Sequence, residues 1–232
     1  MNTRVLPDRE RFASCPGDGR ILKYYEGKFD SVYVSLSPFL RPISISRETL
    51  ESDDSLGRRQ IVGACEPVTW REVMRLAGLP SLSAVDIGLR TLSLGLNPQY
   101  QNRDYAKRIS ELALANGIVA PADGEHSDLL HNQVLRLFQE LGHKWVWIGD
   151  EFCTERKLYW VEDLLTESVQ TIRGHCNVFS PDQSLLWTVH WESHFSLICS
   201  SRENLDRVNV AGRLEGFLCT PGTEMYWSVH GL

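Results

Sequence analysis

Apolar residues recur at helical spacing through the middle of the chain and alternate with polar ones through its last third. The clearest stripe runs over Ser127–Leu141, where Leu130, Val134, Leu137, Phe138 and Leu141 share one face of a 3.6-residue helix before Gly142. Upstream, Asn102 to Asn116 carries Tyr105, Ile109, Leu112 and Ala113 on one stripe and ends at Gly117. A helix after Ser83 carries Val85, Leu89 and Leu92 before Gly95. Thr69-Trp-Arg-Glu72 has the form of a capping box, in which the Thr hydroxyl accepts an orphan helix N–H and the Glu reaches back. Gly78 then supplies a left-handed stop.

The period changes to two elsewhere. Ser31-Val-Tyr-Val-Ser-Leu-Ser37 reads as one strand, closed by Pro38 and Pro42, and the polar stretch Glu51–Gly57 reads as a mobile loop. Lys144–Ile148 and Lys157–Val161 are dense in aromatic and β-branched residues and read as strands. A short helix is expected from about Asp163 to Ile172, ending at Gly174. In Leu185–Cys199 the odd positions are apolar except Ser193, and the even positions are mainly polar, the signature of a sheet with one face on a core. This segment is either one bent strand or a hairpin. A hairpin turning at Trp191–Ser193 pairs Val189 with Phe195, Trp187 with Leu197 and Leu185 with Cys199, keeping the faces apart. Glu192-Ser193 alone as the loop would set Val189 against Ser196 and mix them. Ser200–Glu203 matches a second capping box, opening a helix to about Val208. Arg213–Thr220 and Glu224–His230 read as two further strands, joined at Pro221-Gly222 and completing a meander.

Helices first and strands later predict an α+β fold, with N-terminal and central helices packed on a C-terminal, mainly antiparallel sheet. The expectation is one domain over 1–232, with an irregular part (1–66), a helical part (67–142) and a β-rich part (143–232). Composition changes this picture little. With 42% hydrophobic and 23% charged residues, the chain is of the ordinary globular class. A net charge of −6 argues against a broad nucleic-acid footprint, which needs a basic surface. No apolar run nears the roughly 20 residues that span a bilayer, and the charged N-terminus lacks a signal-peptide core, so no membrane partner is expected. Six dispersed cysteines without a CxxC read as reduced and mostly buried, in a cytoplasmic protein.

Three patterns bear on chemistry. His190, Glu192 and His194 alternate along one strand face, with His175 and His230 in the same region; imidazole and carboxylate suit zinc or iron, although nothing in the chain requires a cofactor. On a straight strand the two histidines would lie roughly 13 Å apart, whereas across a hairpin they would stand at about 5 Å, close enough to share an ion. Thr69–Val85 resembles the helix-turn-helix of bacterial repressors at Val73, Ala77, Gly78 and Leu79, with the motif extending over 69–94. It departs from that pattern at Met74 and Pro80, and an αα-hairpin packed on the core is the competing reading. Cys–His pairs such as His175-Cys176 exist on paper, but no G-x-S-x-G, P-loop or GxGxxG accompanies them.

The run Ser184-Leu-Leu-Trp-Thr-Val-His-Trp-Glu-Ser-His-Phe-Ser-Leu197 resembles the YwbB-like bacterial proteins, a domain of unknown function. That resemblance implies a bacterial, cytosolic protein and carries no activity with it. The sequence is therefore read as a non-enzymatic domain that binds a ligand or a protein partner, its seven tryptophans being of a type enriched in interfaces. The alternatives are a metal-dependent enzyme on His190, Glu192 and His194, and DNA binding through 69–94.

Overall fold

The computed structural model describes residues 11–52, 56–166, 172 and 174–230. Its β-branched and aromatic runs form nine strands among those residues: β1 (Ser31–Leu36), β2 (Phe39–Pro42), β3 (Cys65–Val68), β4 (Trp145–Asp150), β5 (Arg156–Trp160), β6 (Cys176–Phe179), β7 (Leu186–Val189), β8 (Phe195–Ser200) and β9 (Gly216–Leu218). Seven make one sheet in the order β5-β4-β6-β7-β8-β1-β9, with every neighbouring pair antiparallel. The fold is α+β, as the order of periodicities predicts. The N-terminal strand β1 is not peripheral. It lies between β8 and β9, and all six of its residues are buried.

Helices cover both faces of this sheet. On one, the helices Trp70–Leu76, Leu82–Leu92 and Arg103–Asn116 supply Trp70, Val73, Val85, Leu89 and Ile109 against Val32, Val34, Leu186, Leu197 and Cys199. On the other, the helix Asp128–Glu140 sets Val134, Leu137 and Phe138 against Tyr33, Val146, Trp187 and Ile198. Each such fully buried side chain contributes about 1.5–3 kcal/mol relative to exposure, an upper figure because unfolded chains are themselves partly compact. The helix ends obey their local signals. Thr69 Oγ1 accepts from Glu72 N at 3.1 Å, Asn102 Oδ1 accepts from Tyr105 N at 3.1 Å, and Gly78, Gly117 and Gly142 all take positive φ. The helices Leu82–Leu92 and Arg103–Asn116 approach so closely at Gly88 that a Cβ there would press on Tyr105 and Ile109.

The two-sided burial overturns the expected wet face, and with it the register of Leu185–Cys199. The segment is a hairpin, but β7 and β8 pair Val189 with Ser196, Thr188 with Leu197, Trp187 with Ile198 and Leu186 with Cys199. That is the mixed-face register. A shift of one residue turns a whole strand over. Trp187 therefore faces the Asp128–Glu140 helix layer while Leu197 and Cys199 face the opposite layer. The polar positions survive burial through hydrogen bonds: Trp187 Nε1 donates to Ser196 Oγ at 2.9 Å, and the Thr188 hydroxyl donates to Asn177 Oδ1.

Other expectations need correction. The N-terminal part holds more than one strand: β2 pairs with β3 as a separate two-stranded ribbon, in which Pro42 and Pro67 are tolerated because both strands are edges. The helix placed at Asp163–Ile172 instead spans Val161–Leu165, directly after β5, and the rest of that expectation lies mostly outside the described residues. Glu51–Gly57 likewise falls partly outside them, its first two residues ending the helix Arg47–Ser52. The cap after β8 is Ser201, whose hydroxyl accepts from Asn204 N, one residue later than the capping-box pattern places it. Of the two expected C-terminal strands, Arg213–Thr220 holds the three-residue β9, which follows a one-turn helix (Val210–Arg213), whereas Glu224–His230 ends in a second one-turn helix (Trp227–His230). Met225, Trp227 and Val229 alternate in sequence, yet the fully buried Trp227 ring packs on Phe217 and Phe195 in a turn too short to show a helical period. The Pro221-Gly222 turn stands as read. Of the six cysteines, Cys65, Cys176 and Cys199 are buried and the other three half-buried.

Candidate functional site

At the β7–β8 end of the sheet, three segments distant in sequence meet around a buried ion pair. Asp86 and Arg90, four residues apart on the helix Leu82–Leu92, are both fully buried and lie 3.1 Å apart (Nε to Oδ2). Arg90 Nη2 also donates to Ser193 Oγ at 2.8 Å and to the Met225 carbonyl at 3.4 Å, and Ser228 Oγ donates to Asp86 Oδ2 at 2.6 Å. The guanidinium stands over Tyr226 and Phe195, 4.8 and 5.5 Å from their ring centroids. One helix thus ties down the β7–β8 turn through Ser193 and the C-terminal segment through Met225 and Ser228. A buried charge pair is weak evidence of net stability, but it holds these partners to one geometry.

The turn itself is closed by its own polar groups. Ser193 N donates to the His190 carbonyl at 3.0 Å, and Glu192 N donates to His190 Nδ1 at 3.1 Å. Gly124 N donates to the Ser193 carbonyl at 2.9 Å. Gly124 has φ +67, and a Cβ there would collide with the His175 ring and the Trp191 carbonyl, so only glycine suits this contact. Burial pushes His190 down to about 4, with the Arg90 charge adding to the effect, so its ring is neutral. His194 is also buried, and its Nδ1 lies 2.9 Å from the Pro121 carbonyl. A carbonyl only accepts, so Nδ1 carries the proton and Nε2 presents a lone pair. Burial lowers its pKa, against the pull of Asp86. Inside, His194 Nε2, Asp86 Oδ1 and Arg90 Nη1 make no hydrogen bond to a described residue.

The three residues read as metal ligands therefore point to different partners: His190 to the turn backbone, His194 to Pro121, and Glu192 to Tyr226, whose hydroxyl donates to Oε2 at 2.9 Å. Among the described residues, no three His, Cys, Asp or Glu side chains gather in a way that would hold a metal ion. The second helix of the repressor-like pair packs into the fold, with Val85, Asp86, Gly88, Leu89, Arg90 and Thr91 buried, rather than standing free to enter a DNA groove.

Glu192 opens onto a cavity of about 330 Å³. The loop after the helix Leu82–Leu92 contributes Leu94, Gly95, Leu96, Asn97 and Tyr100, and the C-terminal segment contributes Tyr226, Val229 and His230. Gly95 sits close enough to Glu192 that a Cβ would lie 3.4 Å from the Glu192 Cβ. Leu94 adopts φ +61 where the helix stops, a position usually given to glycine, while its side chain is 78% exposed. Burial and the Glu192 carboxylate together raise the Tyr226 pKa, so it remains a hydrogen-bond donor. Sequence reasoning found Glu192 but missed Asp86, Arg90 and Tyr226. The i,i+4 spacing of Asp86 and Arg90 was a signal for a pair, though not for its burial.

A second cavity, of about 250 Å³, lies near the start of the helix Asp128–Glu140, with largely aliphatic walls from Leu40, Leu50, Ile61 and Val119. His126 lines it, packed against Trp187 with ring centroids 3.9 Å apart at a tilt of 53°, and burial lowers its pKa to about 4. Its polar lining residues are Ser37, Glu125, His126, Ser127 and Asp128.

The family described as "Protein of unknown function (DUF2711)" matches residues 17–229, and the chain belongs to it. No curated protein and no solved structure matches the chain.

Proposed function

We propose that this family member is a small-molecule-binding domain whose ligand enters the cavity between the Leu94–Tyr100 loop, the β7–β8 turn and the Tyr226–His230 segment. One observation carries the reading: a concave site brings an acid, a tyrosine hydroxyl and apolar side chains together beside a buried ion pair that ties down the β7–β8 turn and the C-terminal segment. Ligand sites are typically pockets of about 300–1,000 Å³ with few, well-placed polar groups, and this cavity is at the small end of that range. The exposed, left-handed Leu94 at its mouth adds support, because backbone strain concentrates at functional sites. Of the residues read as metal ligands, Glu192 keeps a role, as the carboxylate of the cavity. His190 and His194 shape the turn that presents it.

A fragment screen by ligand-observed NMR tests this, with Val229→Trp as the blocked control. Fragments should bind the native chain and lose binding in the blocked variant. Equal binding to both, or no binding to the native chain, would sink the proposal.

A further inference from the structure

Building on that reading of the cavity, we infer that its ligand is a small organic cation with an apolar substituent: a protonated amine whose nitrogen meets Glu192 and whose hydrocarbon lies against Leu94, Leu96 and Val229. Among the described residues that line the cavity, Glu192 is the one acid and none is lysine or arginine. Its Oε2 is held by the Tyr226 hydroxyl, which aims the carboxylate without neutralising it. The nearby guanidinium of Arg90 is fully buried behind Tyr226 and paired with Asp86 at 3.1 Å, which offsets much of its charge at the cavity. A cation therefore gains where an anion is repelled. Tyr100 and His230 stand edge to face at 5.7 Å on the cavity wall and add aromatic surface of the kind that favours ammonium groups.

Leu94 speaks for the apolar substituent. Folding asks for a left-handed residue at that position, which glycine would supply without strain, and a leucine that is 78% exposed adds little to the core. An apolar side chain kept there at a cost to the backbone fits a wall for ligand hydrocarbon. The volume of about 330 Å³ limits the ligand to a small molecule.

Benzylamine, benzyl alcohol and benzoate share a ring and differ in charge, so calorimetric titration of the full chain with each separates the cases. Benzylamine should bind at least about tenfold more tightly than the other two, and Glu192→Gln should weaken it about tenfold to hundredfold, the value of a hydrogen bond to a charged group. Amide shifts in the NMR spectrum should move at Gly95, Leu96 and Val229. Tyr226→Phe, which frees the carboxylate without removing it, should weaken binding less than Glu192→Gln. Should Glu192→Gln fail to fold, the ranking of the three compounds on the native chain still decides. Benzyl alcohol or benzoate binding as well as benzylamine, benzylamine failing to bind, or a folded Glu192→Gln variant with native affinity would each overturn the inference. Neutral or anionic compounds that bind the native chain and not Val229→Trp would overturn it while leaving the binding-domain reading intact. Absence of every ligand in the wider screen would remove both.

Discussion

Replacing Arg90 by methionine keeps much of the side chain's apolar bulk and deletes its charge. In the folded protein the change strands the fully buried Asp86 with the Ser228 hydroxyl as its remaining partner and removes the donor to Ser193 Oγ and the Met225 carbonyl. Breaking a buried pair by removing one member costs about 3–5 kcal/mol, because the surviving charge loses its compensation without regaining water. For a domain of this size each kcal/mol corresponds to about 2–4 °C, so the melting temperature should fall by roughly 6–20 °C. The cost of Asp86→Leu should be of the same order. The double variant Asp86→Leu/Arg90→Met leaves no stranded charge. It loses hydrogen bonds at Ser193 and Ser228, each worth about 1 kcal/mol, so it should be far less destabilised than the sum of the single variants. Urea unfolding followed by circular dichroism measures all three, with an unchanged m-value confirming comparable folded states. An Arg90→Met cost below about 1 kcal/mol, or strict additivity in the cycle, would refute the idea that the pair acts as a unit.

Two further outcomes follow from the same geometry. Burial lowers His126 and His190 to about 4 from an ordinary 6.5, so between those values the unfolded chain binds more protons than the folded one. Stability present above pH 6.5 is therefore lost as pH falls through about 4, by up to about 3 kcal/mol per histidine, and the variant His126→Gln/His190→Asn should flatten that slope in urea midpoints taken across the window; an unchanged slope counts against the assignment. Leu94→Gly should stabilise the fold by about 0.5–1 kcal/mol, the left-handed strain of roughly 1–2 kcal/mol less the added chain entropy of glycine, while weakening benzylamine binding. A lower urea midpoint in that variant would mean the leucine serves packing instead.

Local sequence determined the elements whose physics is local. Thr69, Asn102 and the glycines at 78, 117 and 142 mark helix ends because capping involves groups within a few residues, and the long stripe of Asp128–Glu140 reports one buried face. The α+β class followed from the order of those periods. Glu192 was legible as chemistry, though as a metal ligand beside His190 and His194 rather than as the carboxylate of a cavity. What periodicity cannot report is what lies against a face. Alternation along Leu185–Cys199 suggested one wet side, but helices cover both, and the register that kept faces apart lost to one that hydrogen-bonds Trp187, Thr188 and Ser196 inside. The one-turn helix Trp227–His230 is too short to repeat a helical period and takes its shape from the pocket that receives Trp227. The same holds for the site. Arg90 looked like a surface charge on a helix until the β7–β8 turn and the C-terminal segment closed over it. The cavity exists because residues near 94, 192 and 226 meet, and such long-range closure depends on the packing of the whole sheet rather than on any run within the chain.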